Sequence, residues 1–273
     1  MGNIMSNRSF CFSIFLALSL LLSSSQSYSS NNNVGEVINK AGMQRMLSQR
    51  IMKAYILKGI GDAPQLANSQ LFESISLYES NLKYINRFTS KLKTDVGYNV
   101  LVNQWEDFKA IIKNTPTQKG ARILLDMSDE LLKKANTLTQ NLQVLSGVQG
   151  SELINVAGRQ RMLSQKISKL YMAYCWKIKG EEALDEMMMV LSEYEVALDF
   201  LRQSQKNTKQ IKNNLRRVSG QLKFAQKSFD QLDQGQYLIH VVNSTTDTML
   251  RQMDAVTQLY VENMSSYSGM AKR

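Results

Sequence analysis

A twelve-residue stretch that occurs twice sets the strongest limit on what this chain can become. NKAGMQRMLSQR runs from Asn39 to Arg50 and NVAGRQRMLSQK from Asn155 to Lys166; nine of the twelve positions are identical and the copies lie 116 residues apart. In a chain of 273 residues, a repeat near half the length predicts two similar units. Only two prolines, Pro64 and Pro116, interrupt a sequence that is 43% hydrophobic and rich in Leu, Met, Gln, Lys and Ser, a balance that suits long helices. The expected fold class is all-α.

Periodicity divides each unit into four helices. The first runs from about Glu36 to Lys58 and stops at Gly59 and Gly61, and the second covers about Gln65 to Leu92. Leu71, Ile75, Tyr78, Leu82 and Ile85 fall on one helical face of the second. A break at Asp95 to Gly97 precedes a third helix with Leu101, Trp105, Phe108 and Ile112 inside, and Asn114 to Gly120 closes it. The fourth, about Ala121 to Leu145, carries Leu124, Met127, Leu131, Leu138, Leu142 and Leu145, close to a heptad seam. The second-helix stripe returns as Met187, Leu191, Tyr194, Leu198 and Leu201 at the same offset of 116. The third returns as Val218, Leu222, Ala225 and Phe229, and the fourth as Met249, Val256 and Tyr260.

These patterns predict two tandem antiparallel four-helix bundles, residues 34–146 and 151–265. An up-down-up-down bundle begins and ends at the same end. The link Ser146 to Gly150 reaches at most ~17 Å, so the second unit starts near where the first began. The two motif helices are therefore expected to run parallel at similar heights.

Residues 1–30 follow a different logic. Arg8 precedes an uncharged apolar run from Phe10 to Leu22, and small polar residues follow to Ser30. This is the pattern of a signal peptide, and the expected location is periplasmic or secreted. The formal net charge of +10 favours anions or acidic surfaces as partners, and export argues against nucleic acid. Cys11 falls in the leader, which leaves Cys175 beside Trp176 as a small packing residue without a disulfide partner.

At about 100° per residue, Ile38, Ala41, Gly42, Gln49 and Met52 lie within about 60° of Arg45 on the helical wheel. Arg161 sits likewise among Ile154, Ala157, Gly158, Gln165 and Ser168. Neither arginine has an acidic residue within one helical turn, and burying an unpartnered guanidinium costs several kcal/mol. Gly42 and Gly158 each lower helix stability by about 1 kcal/mol relative to alanine, so they too require a reason, such as close approach of a backbone or small ligand. Two motif helices paired through these faces would bring two arginines together, an arrangement that a planar oxyanion would relieve. A solvated arginine, or pairing with a carboxylate such as Asp126, Asp129 or Glu130, satisfies the same pattern.

N-x-A-G-x-Q-R-M-L-S-Q-R/K at the head of a four-helix unit resembles the PilJ-type, or NarX-like, sensor domain, the N-terminal domain of type IV pili methyl-accepting chemotaxis transducers and of nitrate/nitrite sensor kinases. The resemblance implies nitrate held at the interface of two first helices by the motif arginines beside the glycines. Carried over by position, it implicates Arg45 and Arg161 as anion ligands and Gly42 and Gly158 as points of close approach, with Asn39, Asn155, Ser48 and Ser164 as supporting polar residues. Here both copies share one chain, so an internal pseudo-dimer replaces a homodimer.

Other chemistry is poorly represented. His240 between Ile239 and Val241 reads as structural, no His/Cys/carboxylate cluster has metal-ligand spacing, and no cofactor or nucleophile motif appears. The fifteen methionines, Met187 to Met189 among them, read mainly as packing, and Lys206 to Arg217 as a solvated face. The expectation is an exported, non-enzymatic protein that binds a small oxyanion, nitrate or nitrite, and reports to a membrane sensor or transducer. The alternative is a helical scaffold that docks on a membrane receptor without a small ligand.

Overall fold

Eight helices follow one another in the computed structural model: α1 Ser9–Ile60, α2 Pro64–Leu92, α3 Tyr98–Ile112, α4 Gln118–Ser146, α5 Ser151–Cys175, α6 Glu181–Gln203, α7 Lys209–Phe229 and α8 Ile239–Met270. The structure describes the backbone of residues 9–92, 95–146, 151–229, 231–232 and 238–270, and side chains within these from 34 to 263 except 92, 146 and 151. No strand occurs among the described residues. The expected leader, 1–30, and the link 147–150 lie outside the residues whose side chains are described.

Local chemistry sets the breaks. Gly61, at φ 80°, follows the end of α1, and Pro64 opens α2, where its missing N–H loses nothing. Asp95 Oδ1 accepts hydrogen bonds from the backbone N–H groups of Gly97 (2.9 Å) and Tyr98 (2.8 Å), capping α3. Thr117 Oγ1 does the same for Gly120 (3.0 Å) at the start of α4. The sequence places the start of α1 near Glu36, whereas the helix begins at Ser9, because no Pro or Gly stands between Ser9 and Val34 to stop it.

α1 packs on α2 and α4, with α3 on α4; α5 packs on α6 and α8, with α7 on α8. These are the two tandem bundles, and α1 against α5 joins them through an extensive helix pair. Gly42 lies against the Arg161 side chain and Gly59 against Trp176. The partners climb together along both helices, so α1 and α5 run parallel and in register.

The apolar stripes read from the sequence form the core. Leu71, Tyr78, Leu82 and Ile85 of α2 are buried, as are Met187, Leu191, Tyr194, Leu198 and Leu201 of α6. Trp105 stacks on Tyr78 with ring centroids 4.1 Å apart. Three side chains depart from expectation. Leu145 is exposed at the last turn of α4, and Met188 and Met189 are exposed beside buried Met187, because consecutive residues on a helix point 100° apart.

Candidate functional site

The two motif arginines meet. Arg45 and Arg161 are each 1% exposed, and a methyl carbon placed on Gly158 would lie 3.3 Å from Nη2 of both. The same carbon on Gly42 would lie 3.2 Å from Arg45 Nη2 and 3.9 Å from Arg161 Nη2. The glycines thus let both guanidinium heads lie against the paired helices, where a side chain would crowd them.

Satisfaction of the two heads differs. Arg45 Nη1 donates to Asn136 Oδ1 at 3.0 Å, and its other bonds are long: Nε to Gly42 O at 3.5 Å and Nη2 to Asn155 O at 3.4 Å. A guanidinium carries five N–H donors, so Arg45 is poorly satisfied and meets no carboxylate among the described residues. Arg161 Nη1 donates to Asp254 Oδ1 at 2.5 Å and Nη2 to Asn39 Oδ1 at 2.8 Å. Its Nε, and Asn155 Oδ1, are buried without a hydrogen-bond partner among the described residues. Burial, then the nearby Arg161 and Arg159 charges, pull Arg45 down to about 9. Burial also lowers Arg161, but Asp254 opposes the shift.

Ser48 and Ser164 turn inward and donate to carbonyls of their own helix, Arg45 O (2.9 Å) and Arg161 O (2.8 Å). They support the arginine turns and point no proton toward the guanidinium pair. Asn39 and Asn155 do reach it, Asn39 through its side chain and Asn155 through its backbone carbonyl. A groove of about 190 Å³ between α4, α5 and α6, bordered by Lys133, Arg159, Lys166 and Glu193, reaches Asn136 from outside.

The carboxylates proposed from sequence as arginine partners go elsewhere. Asp129 holds Lys169 (2.8 Å), Glu130 holds Lys133 (2.6 Å), and Asp126 stands 3.9 Å from Lys179. The reason is register: on α4 it is Asn136, a full turn and more beyond Glu130, that comes level with Arg45. Sequence reading missed Asn136 and Asp254. The fourth-helix offset of 118 residues aligns the two, so one comparison of polar positions would have paired them.

A second buried layer was also missed. Lys53 Nζ donates to Asp247 Oδ1 at 2.6 Å, and Gln70 Nε2 to Asp247 Oδ2 at 2.6 Å. Lys169 Nζ donates to Asp129 Oδ1 at 2.8 Å. Each lysine lies eight residues after its motif arginine and reaches the last helix of the opposite unit, α8 from α1 and α4 from α5. Burial lowers Lys53 to about 8, with Asp247 opposing, and lowers Lys169 in the same way against Asp129. Burial alone would raise Asp247 and Asp129, but attraction to Lys53 and to Lys169 outweighs it and holds both carboxyls below 3.8.

These shifts give stability a pH signature. The carboxylates contribute fully above 3.8 and lose that contribution as pH falls through their lower folded-state values. For Lys53, the unfolded chain binds more protons between about 8 and 10.5, so its contribution grows as pH rises across that window. Melting temperature measured from pH 2 to 7 should fall steeply below pH 4, and Asp247→Asn should flatten that limb.

Elsewhere the chain offers little chemistry. Cys175 is half-buried, and burial pushes its thiol up to about 12, which suits packing. His240 is exposed in the first turn of α8. The cations of the first half of α7, Lys209, Lys212, Arg216 and Arg217, are solvated. Among the residues whose side chains are described, no group of three His, Cys, Asp or Glu is fit for a metal, and no helical stretch is long and apolar enough to cross a membrane.

A family model described as PilJ, "Type IV pili methyl-accepting chemotaxis transducer N-term", matches residues 27–144 and again 145–258. The chain belongs to the PilJ family. Its two matches divide the sequence where the structure divides into bundles, and each PilJ unit contributes one motif helix to the α1–α5 pair. No curated protein and no solved structure matched the chain.

Proposed function

We propose that this tandem PilJ protein is an exported, non-enzymatic, NarX-like sensor module that takes a small oxyanion, nitrate or nitrite, between Arg45 and Arg161 and reports to a membrane transducer. A PilJ domain is by description the N-terminal part of a chemotaxis transducer, which supports a sensory role. The observation that carries the reading is Arg45: a buried cation with one good hydrogen bond, no carboxylate partner among the described residues, and a second guanidinium beside it. An anion accepting from both heads would supply the missing charge-assisted bonds. The signal-peptide pattern of residues 1–30 supports export, and the groove at Asn136 offers an approach from solvent.

Calorimetric titration with nitrate and nitrite tests this. Charge-assisted bonds contribute about 1.5–3 kcal/mol each, so Arg45→Met should weaken binding by ~100-fold or more. Arg45→Met should also hold or raise the melting temperature without anion, because it removes an uncompensated buried charge of similar volume. A wild-type protein that gives no heat with either anion would favour the scaffold reading. One observation favours that reading already: Arg161 meets Asp254, so half of the pair is neutralised within the chain.

A further inference from the structure

The site is nearly two-fold symmetric, and where it breaks symmetry it changes charge. Arg45 on α1 and Arg161 on α5 are equivalent, as are their Nη1 partners, Asn136 on α4 and Asp254 on α8. One partner is a neutral amide and the other a carboxylate. Farther out, partly exposed Arg159 pairs with Glu193 and Lys40 with Glu36. Among the groups in direct contact, two buried guanidiniums meet one carboxylate, an excess of one positive charge.

We infer that Asp254 makes the site selective for singly charged oxyanions over doubly charged ones, through the Asn136/Asp254 difference that leaves one positive charge between the paired helices. The inference rests on the anion-binding reading above and names the charge class of its ligand. A monoanion neutralises the site. A dianion leaves one negative charge uncompensated in a buried setting, where ions are poorly tolerated, and it also faces the Asp254 carboxylate across Arg161. Asp254 is 54% exposed, so it meets Arg161 from the solvent side and leaves the inner face of the guanidinium toward Arg45. In this role Asp254 sets specificity by adjusting the charge available on Arg161, without itself contacting the ion.

Shape and charge are separated by probes of matched geometry. Perchlorate and sulfate are both tetrahedral and differ by one charge, and nitrate serves as the planar monoanion. Wild type should bind nitrate and perchlorate in preference to sulfate. Asp254→Asn, which keeps the side-chain shape, should tighten sulfate by ~10-fold or more relative to perchlorate, a difference of about 1.4 kcal/mol. The mirror change Asn136→Asp should abolish binding of every anion, because each arginine then has its own carboxylate. Circular dichroism confirms that each variant folds, and either variant alone suffices for the test. A sulfate-to-perchlorate ratio unchanged in Asp254→Asn, or undiminished nitrate binding in Asn136→Asp, overturns the inference and leaves the anion site standing. A wild type that binds none of the three, and no nitrite, overturns both.

Discussion

Asp247→Ala should lower the stability of the protein by about 3–5 kcal/mol, the range for breaking a buried ion pair on one side. Lys53 is fully buried, and Asp247, at 2.6 Å, is its carboxylate partner among the described residues. The same carboxylate accepts from Gln70, so truncation strands an ammonium and an amide together. For a chain of this size the change corresponds to a fall of roughly 10 °C in melting temperature. The equivalent change, Asp129→Ala, should do less, because Asp129 is 27% exposed and water can enter to solvate Lys169. Replacing both partners, Lys53→Met with Asp247→Leu, should recover most of the loss, since an apolar pair of similar volume removes the need for desolvated charge. Thermal denaturation of the two single variants and the double variant measures the coupling. Additive losses would show that the pair does not hold α1 to α8.

That pair also marks how far the sequence could be read. Local periodicity is carried by neighbouring residues, so the helices, the stripes of α2 and α6, and the placement of Arg45 and Arg161 on a face of small and apolar residues were legible, whereas their burial was not decided by it. The parallel approach of α1 and α5 followed from link length and bundle topology. What was not legible is the set of groups supplied across the interface. Lys53 sits 80° around the wheel from Arg45 and could have faced its own bundle; only the approach of α8 to α1 gives it Asp247. Likewise Asn136 and Asp254 lie on helices whose rotation about their own axes the apolar stripe leaves uncertain by tens of degrees. That uncertainty left Asp126, Asp129 and Glu130 as candidates and gave no sign of Asn136. At the motif glycines the atoms that approach are the guanidinium heads of the arginines themselves.

Gly59→Ala should destabilise the protein by about 2 kcal/mol, although alanine in place of glycine ordinarily stabilises a helix by about 1 kcal/mol. A methyl carbon at Gly59 would stand 2.1 Å from Cη2 of Trp176, 2.5 Å from Cζ2 and 2.7 Å from Cζ3, so the indole must leave its seat on α1. Overpacking of this kind costs about 1–3 kcal/mol, and the displaced ring loses its burial as well. Trp176 cannot shift freely, because its backbone N–H donates to Met172 O and its carbonyl accepts from Gln118 Nε2. The sequence equivalent of Gly59 in the second unit is Cys175, so the close approach exists once and orients the pair. Fluorescence reads the event directly: the chain has two tryptophans, Trp105 is 1% exposed and stacked on Tyr78, and only Trp176 should shift to longer wavelength. In a Trp176→Ala background the sign should reverse, with Gly59→Ala now stabilising, because the helix preference of alanine remains and the obstruction is gone. A Gly59→Ala protein that melts higher than wild type with unchanged emission would mean that α1 and α5 are not held together at this end.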